Sequence, residues 1–224
     1  MRMMVLADSC TAVIVNFQTP DLTVKACRSL RKFYPGLPLV VIDNGSRDNS
    51  RALLESLRTP GDVALRLMFN NSNINHGPAM DMAARSVATP YTLFLDSDCE
   101  IFRGGFLEQM IGLLEHSPRN YVVGKRIFMD KRGFDLPEQP GAIPYVRPVC
   151  MLLRQSLYLS LPPFRHHGAP CLDNMQEASR RGLALLDFPV SDYVNHKGRG
   201  TAARYGYGLG LKGKLNHLLH KLGL

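Results

Sequence analysis

No stretch of the 224-residue chain stays apolar for anything near the roughly 20 residues that a membrane-spanning helix needs. The opening segment, MRMMVLADSC, likewise has too short an apolar run for a secretory signal. These two absences set the expectation of a soluble, cytoplasmic globule. Cysteine is sparse as well. Cys10, Cys27, Cys99, Cys150 and Cys171 are odd in number, widely spaced and never paired as the CxxC of structural zinc, so they read as reduced thiols. Internal repeats and low-complexity segments are missing. Acidic residues are in deficit, 19 against 27 Lys and Arg, for a formal charge of +8. That excess asks for a polyanionic partner; a phosphorylated ligand, an anionic membrane surface or nucleic acid would each satisfy it. The basic residues are scattered and not interleaved with aromatics as a base-stacking surface requires, which disfavours nucleic acid.

What is present is a composition suited to burial. With 45% hydrophobic and 21% charged residues, the chain can build one domain, or one domain and a small appendage. Thr11 to Val15 (TAVIV) reads as a strand ending on Asn16, and Asp21 to Phe33 carries apolar residues at helical spacing. Pro35-Gly36 breaks the chain. Leu39 to Ile42 (LVVI) is a second strand, Asp43-Asn44-Gly45-Ser46 a polar turn, and Asp48 to Arg58 a helix. Leu65 to Phe69 forms a third strand before the Asn-rich loop Asn70 to His76. A helix from about Pro78 to Val87 and the apolar strand Tyr91 to Leu95 follow. Buried strands alternating with helices predict a largely parallel sheet covered on both faces, with ligands at the carboxyl ends of its strands. Asn16, Asp43, the loop Asn70 to Asn75 and Asp96 all follow such ends. Beyond Asp98 the pattern loosens. A helix over about 105–115, a Pro/Gly-rich stretch, a strand-like Tyr145 to Leu153, a helix over about 172–181 and a strand-like Leu185 to Val190 are expected.

Chemistry concentrates in LFLDSDCE. Asp96 and Asp98 leave a strand too apolar to be solvated and can converge on a hard divalent ion, Mn²⁺ or Mg²⁺, which would neutralise charge on a diphosphate. The plain alternative makes Asp96 a helix cap and Asp98 a solvated loop residue. Asp43 has two readings too: ordinary Asp-Asn-Gly-Ser turn chemistry, or an acceptor for a ribose hydroxyl or a base N–H.

The segments TAVIVNFQTP, LVVIDNGSRDNS, NNSNINHGPAMDMAARSVATPYTLFLDSDCEIF and YVNHKGRGT, in that order over roughly residues 11 to 201, resemble the inverting family-2-type glycosyltransferases with the GT-A fold. The resemblance implies an α/β, Rossmann-like and mostly parallel central sheet with a less regular, acceptor-side C-terminal half. A GT-A domain would cover 1–208, its nucleotide-sugar half about 1–104 and its acceptor half about 105–208. It implies that Asn16 and Asp43, with Asn44 beside them, contact the nucleoside of a nucleotide-diphosphate sugar. The loop through Asn75 to Gly77 would close over the nucleotide. Asp96, Ser97 and Asp98 become the DxD metal and diphosphate site, and His196, otherwise an ordinary surface or core residue, a third metal ligand. Apart from the resemblance, the positive charge of Lys197, Arg199 and Arg204 suits either a hold on a departing diphosphate or a solvated basic loop.

Two positions depart from the family pattern. Ala79-Met80-Asp81 replaces a stretch that often carries a donor-binding Arg, and GAPCLDNMQEASRRG keeps only Asp173 of a late acidic pair. Inverting transfer needs a base to take the acceptor's proton, and Asp173 is the candidate, with Glu177 and Asp192 in reserve; as a plain reading, Asp173 caps a helix that Glu177 helps to close. His166-His167 stands ahead of it, facing the presumed acceptor side. Residues 209–224 form a basic amphipathic pattern suited either to packing on the domain or a partner subunit, or to an anionic membrane surface and a lipid-linked acceptor. A nucleotidyltransferase should show a Gly-rich, Lys- or Arg-bearing loop after the first strand, where Asn16-Phe17-Gln18-Thr19 has none. A catalytically degenerate sugar-nucleotide-binding module is the other alternative. Sugar, nucleotide base, carbohydrate or lipid-linked acceptor, and oligomeric state are not written in these motifs.

Overall fold

The computed structural model describes residues 6–165 and 168–198. The expected C-terminal helix 209–224, His166-His167, Arg199 and Arg204 lie outside them. A short helix, α1 (Leu6–Ser9), leads into β1 (Cys10–Asn16), α2 (Pro20–Phe33), β2 (Leu39–Asp43), α3 (Ser50–Glu55), β3 (Leu65–Phe69), α4 (His76–Arg85) and β4 (Tyr91–Leu95). These four strands are parallel in the order β3-β2-β1-β4. Their carboxyl ends align: Asn16 pairs with Asp43, and Asp43 with Phe69. This is the geometry in which successive βαβ units gather their polar turns on one sheet edge.

The second half is more regular than its composition suggests. After β5 (Cys99–Ile101) and α5 (Phe106–Glu115) comes β6 (Asn120–Met129), a ten-residue strand where only a Pro/Gly-rich stretch was expected. It continues through β7 (Asp135–Leu136), β8 (Ile143–Arg154), α6 (Gln155–Tyr158), α7 (Leu172–Arg180), β9 (Ala184–Asp187), a 3₁₀ turn (Val190–Asp192) and β10 (Val194–His196). β8 runs antiparallel to both β4 and β6, while β9 runs parallel to β6. The sheet is thus parallel on its β3-β2-β1-β4 flank and mixed on the other. β5 and β10 make a separate antiparallel ribbon in which His196 pairs with Cys99.

Period-two alternation in the buried strands feeds two cores, one per sheet face. Along β1, Cys10, Ala12 and Ile14 pack with α2 and α5, and Val13 and Val15 pack with α4 and α7. Of these, Val13, Ile14 and Val15 each contribute roughly 1.5–3 kcal/mol by leaving water. All five cysteines are buried free thiols within these cores, in line with the reduced reading. No helix among the described residues is long and apolar enough to cross a membrane.

Candidate active site

The carboxyl edge begins with the turn after β2. Asn16 is fully buried and sits behind this turn. Its amide nitrogen donates to Asp43 Oδ1 at 2.7 Å and to Ser50 Oγ at 3.0 Å, while its oxygen accepts from Thr23 Oγ1 at 2.7 Å. Asp43 also accepts from the Ser46 hydroxyl at 2.5 Å and, through Oδ2, from the Ser46 N–H at 3.1 Å. The turn chemistry and an aligned carboxylate therefore coexist: Oδ1 is saturated by the protein, whereas Oδ2 keeps acceptor capacity.

Asn44 is buried and binds the Asn-rich loop to this turn. Its oxygen accepts from Asn70 Nδ2 at 3.0 Å and from the Ile74 N–H at 3.2 Å, and its nitrogen donates to Asn73 Oδ1 and the Asn75 carbonyl. Gly45 is required here. Its φ is +73°, and a Cβ would lie 2.2 Å from the Ser72 carbonyl carbon. Asn75 closes the loop at φ 73°, ψ 164°, a conformation costly for any residue but glycine and concentrated at functional sites. The exposed Asn75 precedes α4, whose first turn contains the buried Gly77.

Asp96 follows β4, its N–H donating to the Val149 carbonyl at 3.0 Å. Burial pushes its carboxyl above the ordinary carboxylate range, and Asp98 pushes the same way, while His76 and His196 pull it down. His76 Nε2 stands 3.9 Å from Asp96 Oδ1. This neighbour was missed in the sequence, although it directly precedes Gly77 in NINHG. Ser97 is half-buried between the two aspartates. Asp98 is buried, with Oδ1 3.2 Å from His196 Nε2. That contact raises His196, with burial opposing it. Cross-strand pairing of His196 with Cys99 fixes the imidazole beside Asp98. Donor atoms of Asp98, Cys99 and His196 lie within 4.8 Å of one another. Lys197 donates its N–H to the Asp98 carbonyl, and its ammonium is 3.4 Å from Glu100.

The base candidates separate. Asp173 is the second residue of α7, whose N-cap is Cys171, so the helix-cap reading does not hold for it. Burial raises the Cys171 thiol, Tyr145 opposes that rise, and Asp96 adds to it. Glu177 is clamped by Arg180 and Arg181 at 2.7 Å each, and these hydrogen bonds hold its carboxyl down at about 2. A carboxylate so acidic is a poor proton acceptor at neutral pH. Asp192 is exposed on the 3₁₀ turn. Asp81, in the helix where an Arg was looked for, is bonded to Tyr158 and Arg85 and belongs to the α4–α6 contact.

Residues 11–169 of this chain match the model of Glycosyl transferase family 2. The chain belongs to glycosyl transferase family 2. This family 2 chain is 33% identical over 63 residues, 28% of its length and 9% of the other protein, to the teichoic acid poly(glycerol phosphate) polymerase of Staphylococcus epidermidis. A mannosyltransferase of Pyrobaculum calidifontis, solved with GDP-Man and Mn²⁺, superposes with a TM-score of 0.64 at 15% identity over 80% of this chain and 54% of that one. TarS 1-349 of S. aureus with UDP-GlcNAc gives 0.59 at 14% over 88% and 61%. GalNAc-T7 with UDP, GalNAc and Mn²⁺ gives 0.65 at 13% over 84% and 43%. These likenesses establish the GT-A fold. The family 2 chain spans about half the length of these solved structures.

Proposed function

We propose that this chain is a metal-dependent, inverting glycosyltransferase that moves a sugar from a nucleotide-diphosphate sugar to a carbohydrate or lipid-linked acceptor of the cell envelope, working in the cytoplasm or on the inner face of the membrane. The observation that carries the proposal is the gathering of Asp96, Asp98 and His196 just past the carboxyl end of β4, on the same sheet edge as Asp43, which ends β2 two strands away. Two carboxylates and an imidazole are a donor set that suits Mn²⁺ or Mg²⁺; Asp98 and His196 already lie within ligand distance of one another, and the Asp96 carboxyl, raised chiefly by burial and further by Asp98, is one that a bound cation would stabilise in its charged form. When bound, such an ion neutralises charge developing on the leaving diphosphate.

The chain's own residues supply the rest. Asp43 Oδ2 faces the nucleoside, with Asn16 and Ser46 holding the carboxylate in place. The loop fastened by Asn44 and ending at Asn75 covers the nucleotide. First-turn N–H groups of α4, Gly77 among them, have no intrahelical partner and suit a phosphate. Lys197, drawn from Glu100, steadies the departing diphosphate. Asp173 takes the acceptor's proton as its oxygen attacks the anomeric carbon. Family membership weighs against the nucleotidyltransferase reading.

Thermal-shift screening of nucleotide diphosphates and their sugars with Mn²⁺, followed by donor hydrolysis with and without the metal, tests the proposal. A metal-dependent rise in melting temperature with at least one nucleotide diphosphate is expected; none with any would overturn it.

A further inference from the structure

β6 and β8 do not zip evenly past the end of β4. Gly124 pairs with Met151 and Arg126 with Val146, so the single residue Lys125 faces the four residues Arg147 to Cys150. The bulge has visible causes. Pro148 cannot donate to a ladder, and a Cβ on Gly124 would lie 2.7 Å from the Cys150 carbonyl oxygen. The Val149 carbonyl, freed from β6, instead accepts from the Asp96 N–H and the Cys99 thiol. Bulges re-aim side chains next to active sites, and this one places Lys125 and Arg147 on the wall of a cavity of about 670 Å³.

That cavity reaches His196, and the charge of Arg147 is felt there. Its floor is apolar, made by Val149, Val190 and Val194, and its rim carries Phe102, 55% exposed. The charges around it are unbalanced. Glu100 is taken by Lys197 and Arg147 is tied to Asp135, whereas no carboxylate among the described residues pairs with Lys125. Position separates it from the nucleotide. In the order β3-β2-β1-β4-β8-β6, Asp43 stands on the β1–β2 side of Asp96 and the cavity on the β8–β6 side.

We infer that this cavity is an acceptor subsite for a phosphate-bearing substrate, with Lys125 and Arg147 holding the phosphate and Phe102 covering an apolar or sugar face. The inference rests on the glycosyltransferase reading and narrows its acceptor to an anionic one. The phosphate could belong to a soluble polyol-phosphate chain or to a lipid headgroup, and the chemistry recognised is the same.

The test uses the whole chain, Lys125→Ala, and Arg147→Lys as the charge-keeping variant that spares the Asp135 contact. Probes are a short glycerol-phosphate oligomer, an uncharged oligosaccharide of the same length and phosphatidylglycerol vesicles, each with Mn²⁺ and a nucleotide diphosphate present. The oligomer or the vesicles should bind in a salt-sensitive way, and the uncharged probe should not. Lys125→Ala should weaken binding about tenfold, and Arg147→Lys less, with the nucleotide-diphosphate thermal shift unchanged in both. Oligomer binding points to a polyol-phosphate source and vesicle binding alone to a lipid one. Equal binding by the wild type and Lys125→Ala, preference for the uncharged probe, or loss of the nucleotide shift in Lys125→Ala would each overturn the inference. Absence of any nucleotide shift in the wild type would instead remove the underlying reading.

Discussion

At the residue scale, the proposed site divides into side chains that would face a ligand and side chains, such as Asn16, that stand behind them. Asp98→Asn should lower metal-dependent donor hydrolysis about 100-fold or more, because a charge aimed at the leaving group is lost. Its fold should survive, since the substitution keeps the side chain's size and an oxygen that can still accept from His196. Comparing melting curves with rates at several Mn²⁺ concentrations checks both statements. Asp173→Asn should behave differently, dropping kcat by about 10²–10⁴ while leaving nucleotide binding intact, as expected for loss of a general base. Steady-state kinetics beside a nucleotide titration separates the two. The aspartates were legible because two carboxylates after a fully apolar strand need a reason to be there. His76 was not, because a lone histidine carries no signal until α4 sets it opposite Asp96. The burial of Asn16 was likewise invisible: only the pairing of β1 with β2 shows it standing behind Asp43.

At the element scale, the alternating strands and helices up to β4 could be read because each strand is a continuous apolar run. β6 could not. Gly124-Lys125-Arg126 interrupts its pattern where the bulge falls, and a period broken by a bulge looks like a loop. β5 and β10, three residues each, are too short for any period. The direction of β8 depends on the neighbour it meets, not on its own sequence. Gly45 offers an element-level test. Gly45→Ala must push Ser72 away and hold an L residue at φ +73°, costing about 1–3 kcal/mol. The loop should yield before the sheet does, so hydrogen exchange at Asn70 and Ile74 should speed up while β1 and β4 amides stay protected.

At the scale of the whole molecule, the two cores hold ionisable groups in neutral form. Burial pushes Cys27 and Cys150 up to about 12, and Tyr34 also to about 12. In the unfolded chain they ionise near 9 for cysteine and 10 for tyrosine. Above pH 9 the folded state therefore binds more protons than the unfolded one, and stability must fall as pH rises. Each such group adds about 1.4 kcal/mol per pH unit to the slope. Denaturant melts between pH 8.5 and 11 should show that decline, and Cys150→Ala should flatten it by about one group's share. The fold class was legible at this scale because net composition and strand order both point to a covered α/β sheet. The mixed flank was not, because antiparallel pairing of β8 and β6 is a tertiary outcome.

The side-chain contacts of Asn44 also govern how the protein ages. An asparagine followed by glycine loses its amide readily when the chain is free, because the glycine nitrogen attacks the side-chain carbonyl carbon to form a cyclic imide. Here both ends of the Asn44 amide are held by hydrogen bonds to Asn70, Asn73, Ile74 and Asn75, which resist the rotation that such an attack requires. The folded protein should keep its amide at Asn44 through prolonged warm incubation, and the Gly45→Ala comparison is uninformative there because the attacking glycine is gone. Asn73→Ala is the better probe: it loosens the loop, keeps Asn44-Gly45, and should show a one-dalton gain at that peptide long before wild type does.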